Sequence, residues 1–175
     1  MTPAVSASVH ASAVMVGNRA VLIRGPSGSG KSHLAFDLIL AGRAGQIPPA
    51  VLVGDDRVHL DTSADNLMVR PVRELAGRIE IRGLGIRRCD FVHEAVVGLV
   101  VDLSAADAER LPPPEALSTE IRGIKLPRIP VGSGYAALPL ALAALIMTES
   151  SAFAKLSADC SKGIGNHITP TIATE

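Results

Sequence analysis

The chain has 175 residues, enough for one domain with a real core and too few for two full ones. With 47% hydrophobic and 19% charged residues, its composition is that of a globular chain and excludes disorder along the whole length. Seventeen Lys and Arg against seventeen Asp and Glu leave no net field toward nucleic acid or an anionic membrane, and three Phe, one Tyr and no Trp leave no stacking platform for single strands.

In chain order, residues 1–16 lack a basic leader and a continuous apolar stretch, so no signal peptide is expected. Residues 5–16 read as a strand ending at Gly17-Asn18, and 20–24 as its partner in a hairpin. After a Gly-rich stretch, Leu34, Phe36, Leu38, Ile39 and Leu40 predict a helix ended by Gly42 and Gly45. Residues 46–49 are a loop and 51–53 a short apolar strand of the kind buried in a parallel sheet, completing a right-handed βαβ unit. Residues 78–86 predict a strand running into a turn at Gly83 and Gly85. A buried strand follows at 96–103, a proline-rich loop at 111–115, an edge strand at 124–131 interrupted by Pro127 and Pro130, and a helix at 138–147. The apolar run 136–147 contains Pro139 and falls short of the ~20 residues that cross a bilayer. Small and polar residues from 157 onward predict a loose tail, which makes 1–156 the domain. Cys89 and Cys160 stand far apart, as reduced thiols of a cytoplasmic protein would.

Gly25-Pro26-Ser27-Gly28-Ser29-Gly30-Lys31-Ser32 fills every fixed position of the Walker A pattern, between an apolar strand and an apolar-periodic helix. Glycines let the backbone form a nest of N–H groups facing phosphate oxygens, and the helix N-terminus adds partial positive charge. Lys31 reaches β- and γ-phosphates in such a loop, and the Ser32 hydroxyl can ligate Mg²⁺. The plain alternative is a glycine-rich turn with an exposed lysine.

Asp55 and Asp56 follow the strand at 51–53, at the strand end where α/β sheets bind ligands. Two adjacent carboxylates permit a division of labour, one organising the metal and one accepting a proton from an attacking hydroxyl. A polar turn would also carry an Asp-Asp pair. Taken singly, His10 and Glu80 are as readily structural as catalytic.

These segments together resemble the catalytic C-terminal domain of the bacterial HPr kinase/phosphorylase family. Val9-His10-Ala11, the P-loop, Asp55-Asp56-Arg57-Val58 and above all Ile79-Glu80-Ile81-Arg82-Gly83-Leu84-Gly85-Ile86 carry the likeness, over roughly residues 5–147. The resemblance implies an α/β P-loop fold of the HPr kinase and phosphoenolpyruvate carboxykinase type, a central mixed sheet with flanking helices, in a short form without the family's N-terminal domain. It implies a serine kinase acting on the phosphocarrier HPr with ATP and Mg²⁺, and a homo-oligomer, hexameric in the family. Residue by residue, it implies that Lys31 and its loop hold the phosphates and that Ser32 and Glu80 ligate Mg²⁺. Asp56 is the implied proton acceptor, with Asp55 supporting it, and His10 and Arg110 are implied active-site residues.

Gly132 and Tyr135 stand where family members carry basic side chains important for dephosphorylation, so phosphorolysis of phospho-HPr is expected to be weak, absent or differently organised. About eight extra residues at 43–50 suggest an insertion near the nucleotide. Arg82, Arg87 and Arg88 are either contacts for an acidic patch on the partner or solvated charges. A small-molecule P-loop kinase and a non-catalytic ATP-binding regulator are the alternatives.

Overall fold

The computed structural model describes residues 7–147, so the predicted tail and the ends of the predicted domain lie outside the described residues. In chain order the elements are β1 (Ser8–Val9), β2 (Ser12–Val16), β3 (Arg19–Arg24), α1 (Lys31–Arg43), β4 (Ala50–Gly54), β5 (Val58–Ser63) and β6 (Asn66–Pro71). A 3₁₀ turn at Arg73–Leu75 precedes β7 (Arg78–Ile81), β8 (Gly85–Arg88), β9 (Ala95–Leu103), β10 (Ser118–Ile121), β11 (Ile124–Val131) and α2 (Ala137–Ile146). None of the helices among the described residues is long and apolar enough to cross a membrane.

The main sheet is mixed and runs β1-β5-β6-β9-β3-β2-β4, with β11 also on β9 and β10 on β11. The predicted hairpin of residues 5–16 with 20–24 forms as β2 on β3, Val14 opposite Val21. The first strand is not continuous, however. It breaks at His10 and Ala11, leaving β1 to pair with β5 while β2 joins β3.

The βαβ unit also needs correction. β3 and β4 run the same way, but β2 lies between them, antiparallel to both, and the parallel neighbour of β3 is β9. The run at 51–53 is apolar because it is buried, which a strand beside an antiparallel neighbour satisfies equally well.

α1 ends at Arg43, and just beyond its cap Gly45 takes a left-handed φ of 72°, while Gln46 N–H bonds Ala41 O at 3.0 Å. Gly42 stays helical. A β-carbon there would lie 2.7 Å from Ala50 N, so this glycine admits the start of β4 against the helix. The proposed insertion at 43–50 accordingly sits at the C-terminal end of α1, where Pro49 O accepts from Gly17 N–H. That is the opposite end of the helix from the Gly-rich loop, about 20 Å away for a 13-residue helix.

The predicted strand ends at Ile81 and runs into the expected turn, from which the chain returns as β8 to make a hairpin over 78–88; Gly83 takes positive φ in the turn and Gly85 takes it at the start of β8. β11 runs unbroken through both prolines. Its first half pairs with β10 alone and its second half with β9 alone, so neither proline has to donate to a second neighbour.

Two apolar layers cover the sheet. Leu34, Leu38 and Ile39 of α1 and Ala141 and Leu145 of α2 pack on Val14, Ile23, Leu52 and Val101. On the other face no helix lies among the described residues; β5 and β6 curl over so that Val58, Leu60, Leu67 and Val69 meet Leu22, Val53 and Val100. The expected flanking helices therefore occupy one face, and the curled sheet covers its other face with its own strands.

Candidate active site

β3, β4, β9 and β11 all point toward one edge of the sheet. The connections leaving that edge carry Gly25, Asp55, Ser104 and Gly132. Open α/β sheets bind their ligands at such carboxyl ends.

From Arg24 to Lys31 the chain turns through Gly25 (φ 150°), Gly28 (78°) and Gly30 (97°). Gly30 caps α1 without any side-chain hydrogen bond, which leaves the first-turn N–H groups available to an anion. Ser29 Oγ is buried with no hydrogen-bond partner, an arrangement that costs free energy until a ligand supplies one. At Gly25 an added β-carbon would lie 2.7 Å from Ser29 Oγ and 2.9 Å from the Leu103 carbonyl oxygen. Backbone cannot step aside as a side chain can. Gly25→Ala is therefore expected to distort the loop, abolish ATP binding by calorimetry and cost about 1–3 kcal/mol in denaturant unfolding.

Lys31 folds back over the loop, its Nζ donating to the carbonyl oxygens of Gly25 and Pro26 at 3.0 Å each. It is 6% exposed. Burial lowers its pKa, and the charges of Asp55 and Asp56 offset part of that fall. The loop lysine and both carboxylates thus share one electrostatic site.

The two acids are held very differently. Asp55 is buried; its Oδ1 accepts from Ser12 Oγ at 2.5 Å and its Oδ2 from the Glu80 N–H at 3.0 Å. Asp56 turns outward at φ 65°, where Arg57 N–H closes on Asp55 O at 2.8 Å. Positive φ is strained for a side-chain-bearing residue, least for Asp and Asn, and such strain gathers at functional sites. His10, in the break between β1 and β2, places Nε2 3.3 Å from Asp56 Oδ1. One acid is fixed by two hydrogen bonds within the fold, and the other faces out beside His10.

Glu80 comes to this end of the sheet with its hairpin. Ile79 is buried in the α1 core, Cys89 N–H bonds Gly77 O, and Val92 N–H bonds Leu52 O, tying the hairpin to the edge of β4. The Glu80 carboxylate is exposed and makes no hydrogen bond or ion pair among the described residues, and Ser32, half-buried in the first turn of α1, is not bonded to it. Arg110 is exposed in the irregular segment between β9 and β10, without a bond to any other candidate. Of the candidates, the structure joins His10 with Asp56, Asp55 with the Glu80 main chain, and Lys31 with its loop. Arg110 is bonded to none of them.

Sequence reasoning missed Ser12. Among the described residues, the buried polar or charged side chains are Ser12, Lys31 and Asp55, and all three belong to this site. A lone serine inside the apolar stretch from Ala11 to Val16 was the available signal. A cleft alongside is lined by Ser29, Gly30, Leu34, Ser104, Gly132 and Tyr135, the Tyr135 ring lying 3.3 Å from where a Gly132 β-carbon would stand.

The model of the HPr serine kinase C-terminal domain matches residues 2–150. This chain belongs to that family. It is 38% identical over 145 residues to the HPr kinase/phosphorylase of Enterococcus faecalis, which covers 75% of this chain and 44% of that protein. It is 31% identical over 145 residues to the HPr kinase/phosphorylase of Mycoplasma mycoides, again covering 44% of that protein. The chain thus spans less than half the length of these curated relatives. The solved structure of the Hpr(Ser) kinase/phosphatase from Coxiella burnetii superposes with a TM-score of 0.62 at 27% identity, over 78% of this chain and 91% of that one. The curled mixed sheet with two helices is therefore the fold of the HPr kinase family.

Proposed function

We propose that the chain is an ATP- and Mg²⁺-dependent protein serine kinase acting on the phosphocarrier HPr. The observation that carries this reading is the convergence of a buried, loop-held Lys31 with Asp55 and an outward-facing Asp56 at one sheet edge. The names of the relatives support it.

In this reading the N–H groups of the loop and the start of α1 hold the phosphates, and Lys31 is the cation nearest the β- and γ-oxygens. The donor set suits Mg²⁺: that ion takes one or two protein oxygens and completes its shell with phosphates and water, and no cage of three His, Cys, Asp or Glu exists among the described residues. Ser32 and Glu80 are the two protein oxygens. When bound, Mg²⁺ supplies positive charge to the oxygens of the transferring group. Asp56 accepts the proton of the partner serine as its Oγ–P bond forms and the bond to the ADP oxygen breaks; in reverse it returns that proton. His10 steadies the Asp56 carboxylate, Asp55 fixes the Glu80 main chain, and Arg110 contributes charge to the transferring group.

Incubating the protein with HPr, Mg²⁺ and ATP and locating the modified residue by mass tests the reading. One added phosphoryl group on a serine is the expected result. ATP binding with no transfer would leave a nucleotide-binding regulator, and transfer to a small molecule alone would leave a small-molecule kinase.

Phosphorolysis is expected to be feeble. Around the cleft, residues 132–135 offer glycine, serine and tyrosine and no cation to a second phosphate. Ser-phosphorylated HPr incubated with inorganic phosphate should release pyrophosphate far more slowly than the forward reaction consumes ATP. Rapid release would overturn this.

A further inference from the structure

Residues 104–115, which carry Arg110, have no regular strand or helix and bury no side chain. A segment without an apolar anchor takes its course from its polar ties. Here those ties converge on Arg128. Its guanidinium gives a two-pronged bond to Asp107, 2.6 Å to Oδ2 and 2.9 Å to Oδ1, and a third to the Ala116 carbonyl oxygen at 2.9 Å. Its Nε donates to Asp102 Oδ2 at 2.5 Å. Asp102 in turn receives a two-pronged bond from Arg24, 2.7 Å on each oxygen, and Arg24 is the residue directly before Gly25.

Arg128 is thus tied through Asp102 of β9 to Arg24, the last residue of the strand that feeds the phosphate loop, and grips the segment on both sides of Arg110. The hydrogen bond to Asp107 does most to raise the Arg128 pKa, and the same bond holds Asp107 below the usual carboxylate range. Planar fork-on-carboxylate pairing fixes orientation as well as distance. At its near end the segment is tied by Ala105 N–H to Val131 O at 2.9 Å, and Ala108 packs 3.5 Å from a Gly132 β-carbon position, beside the cleft that Ser29 and Gly30 line.

We propose that the Asp107–Arg128 pair is a latch that sets the position of Arg110 at the mouth of the site, making Asp107 and Arg128 positioning residues for phosphoryl transfer. This rests on the kinase reading above and on Arg110 acting in it. Arg110 itself forms no hydrogen bond or ion pair among the described residues, so nothing but the course of its segment fixes its place.

Asp107 is the handle for a test, because its side chain is 53% exposed and its loss leaves the core intact. Three variants of the full chain, Asp107→Ala, Arg110→Ala and the double, are compared for transfer to HPr. The latch requires Asp107→Ala to lower kcat by about tenfold to a hundredfold with the KM for ATP unchanged. It requires the double variant to be no slower than Arg110→Ala alone, Asp107→Glu to recover part of the rate, and amide exchange over 105–117 to quicken in Asp107→Ala. An unchanged kcat in Asp107→Ala, or losses that multiply in the double variant, overturns the latch while leaving the kinase reading intact. An unchanged kcat in Arg110→Ala removes the role of Arg110 and the latch with it. No transfer by the parent chain removes the kinase reading.

Discussion

Asp56→Asn is expected to lower phosphoryl transfer to HPr by about two to four orders of magnitude while ATP binds as before, the span attributed to a positioned general base. The residue is well placed for so selective a loss. Its side chain is 60% exposed and, among the described residues, its ion pair is with the exposed His10, so the fold does not depend on its charge. Asparagine tolerates the left-handed φ of 65° at that turn, which keeps backbone strain out of the comparison. Calorimetry with ATP and mass analysis of HPr give the two readouts. Undiminished transfer would remove Asp56 as proton acceptor and return the acidic pair to a polar turn.

Lys31→Met should have the reverse profile, with nucleotide binding lost and the fold retained. Methionine is unbranched and similar in length, so it fills the buried space that the Lys31 stem occupies. Burial disfavours the charged ammonium, as its lowered pKa records, so removing the charge relieves a cost that offsets the lost bonds to Gly25 and Pro26. The melting temperature without ligand should stay close to that of the parent. The stabilisation of the parent by ATP, about 2.7 kcal/mol at a hundredfold excess over Kd, should vanish in the variant. An ATP-dependent rise in melting temperature that survives in Lys31→Met would show that the nucleotide is held elsewhere.

The phosphate loop, its strand and its helix were legible because every requirement there is local. Glycines at fixed spacing, an apolar run before and a 3.6-residue period after describe contacts among residues close in sequence. The acidic pair was legible as a pair, since Gly54-Asp55-Asp56 ends an apolar strand. β5 and β6 passed unread: Val58 and Leu60 alternate with polar residues, but Met68 between Leu67 and Val69 breaks the alternation, and the two-residue turn is Ala64-Asp65 at positive φ instead of a glycine turn. β10 is four residues long and has polar or charged side chains at three of them, too short for a period to emerge.

By itself, then, the sequence determined which residues make the Gly-rich loop, which helix it opens and which family the chain resembles. The tertiary structure alone decided that β2 lies between β3 and β4, that Asp55 faces Ser12 and the Glu80 main chain while Asp56 faces out, and that Arg128 spans Asp102 and Asp107. Those pairings join residues 21 to 43 positions apart, with Arg24 and Asp102 78 apart. Periodicity reports which face of an element is apolar, but not which distant element will cover it; only closure of the sheet brings a particular carboxylate against a particular donor.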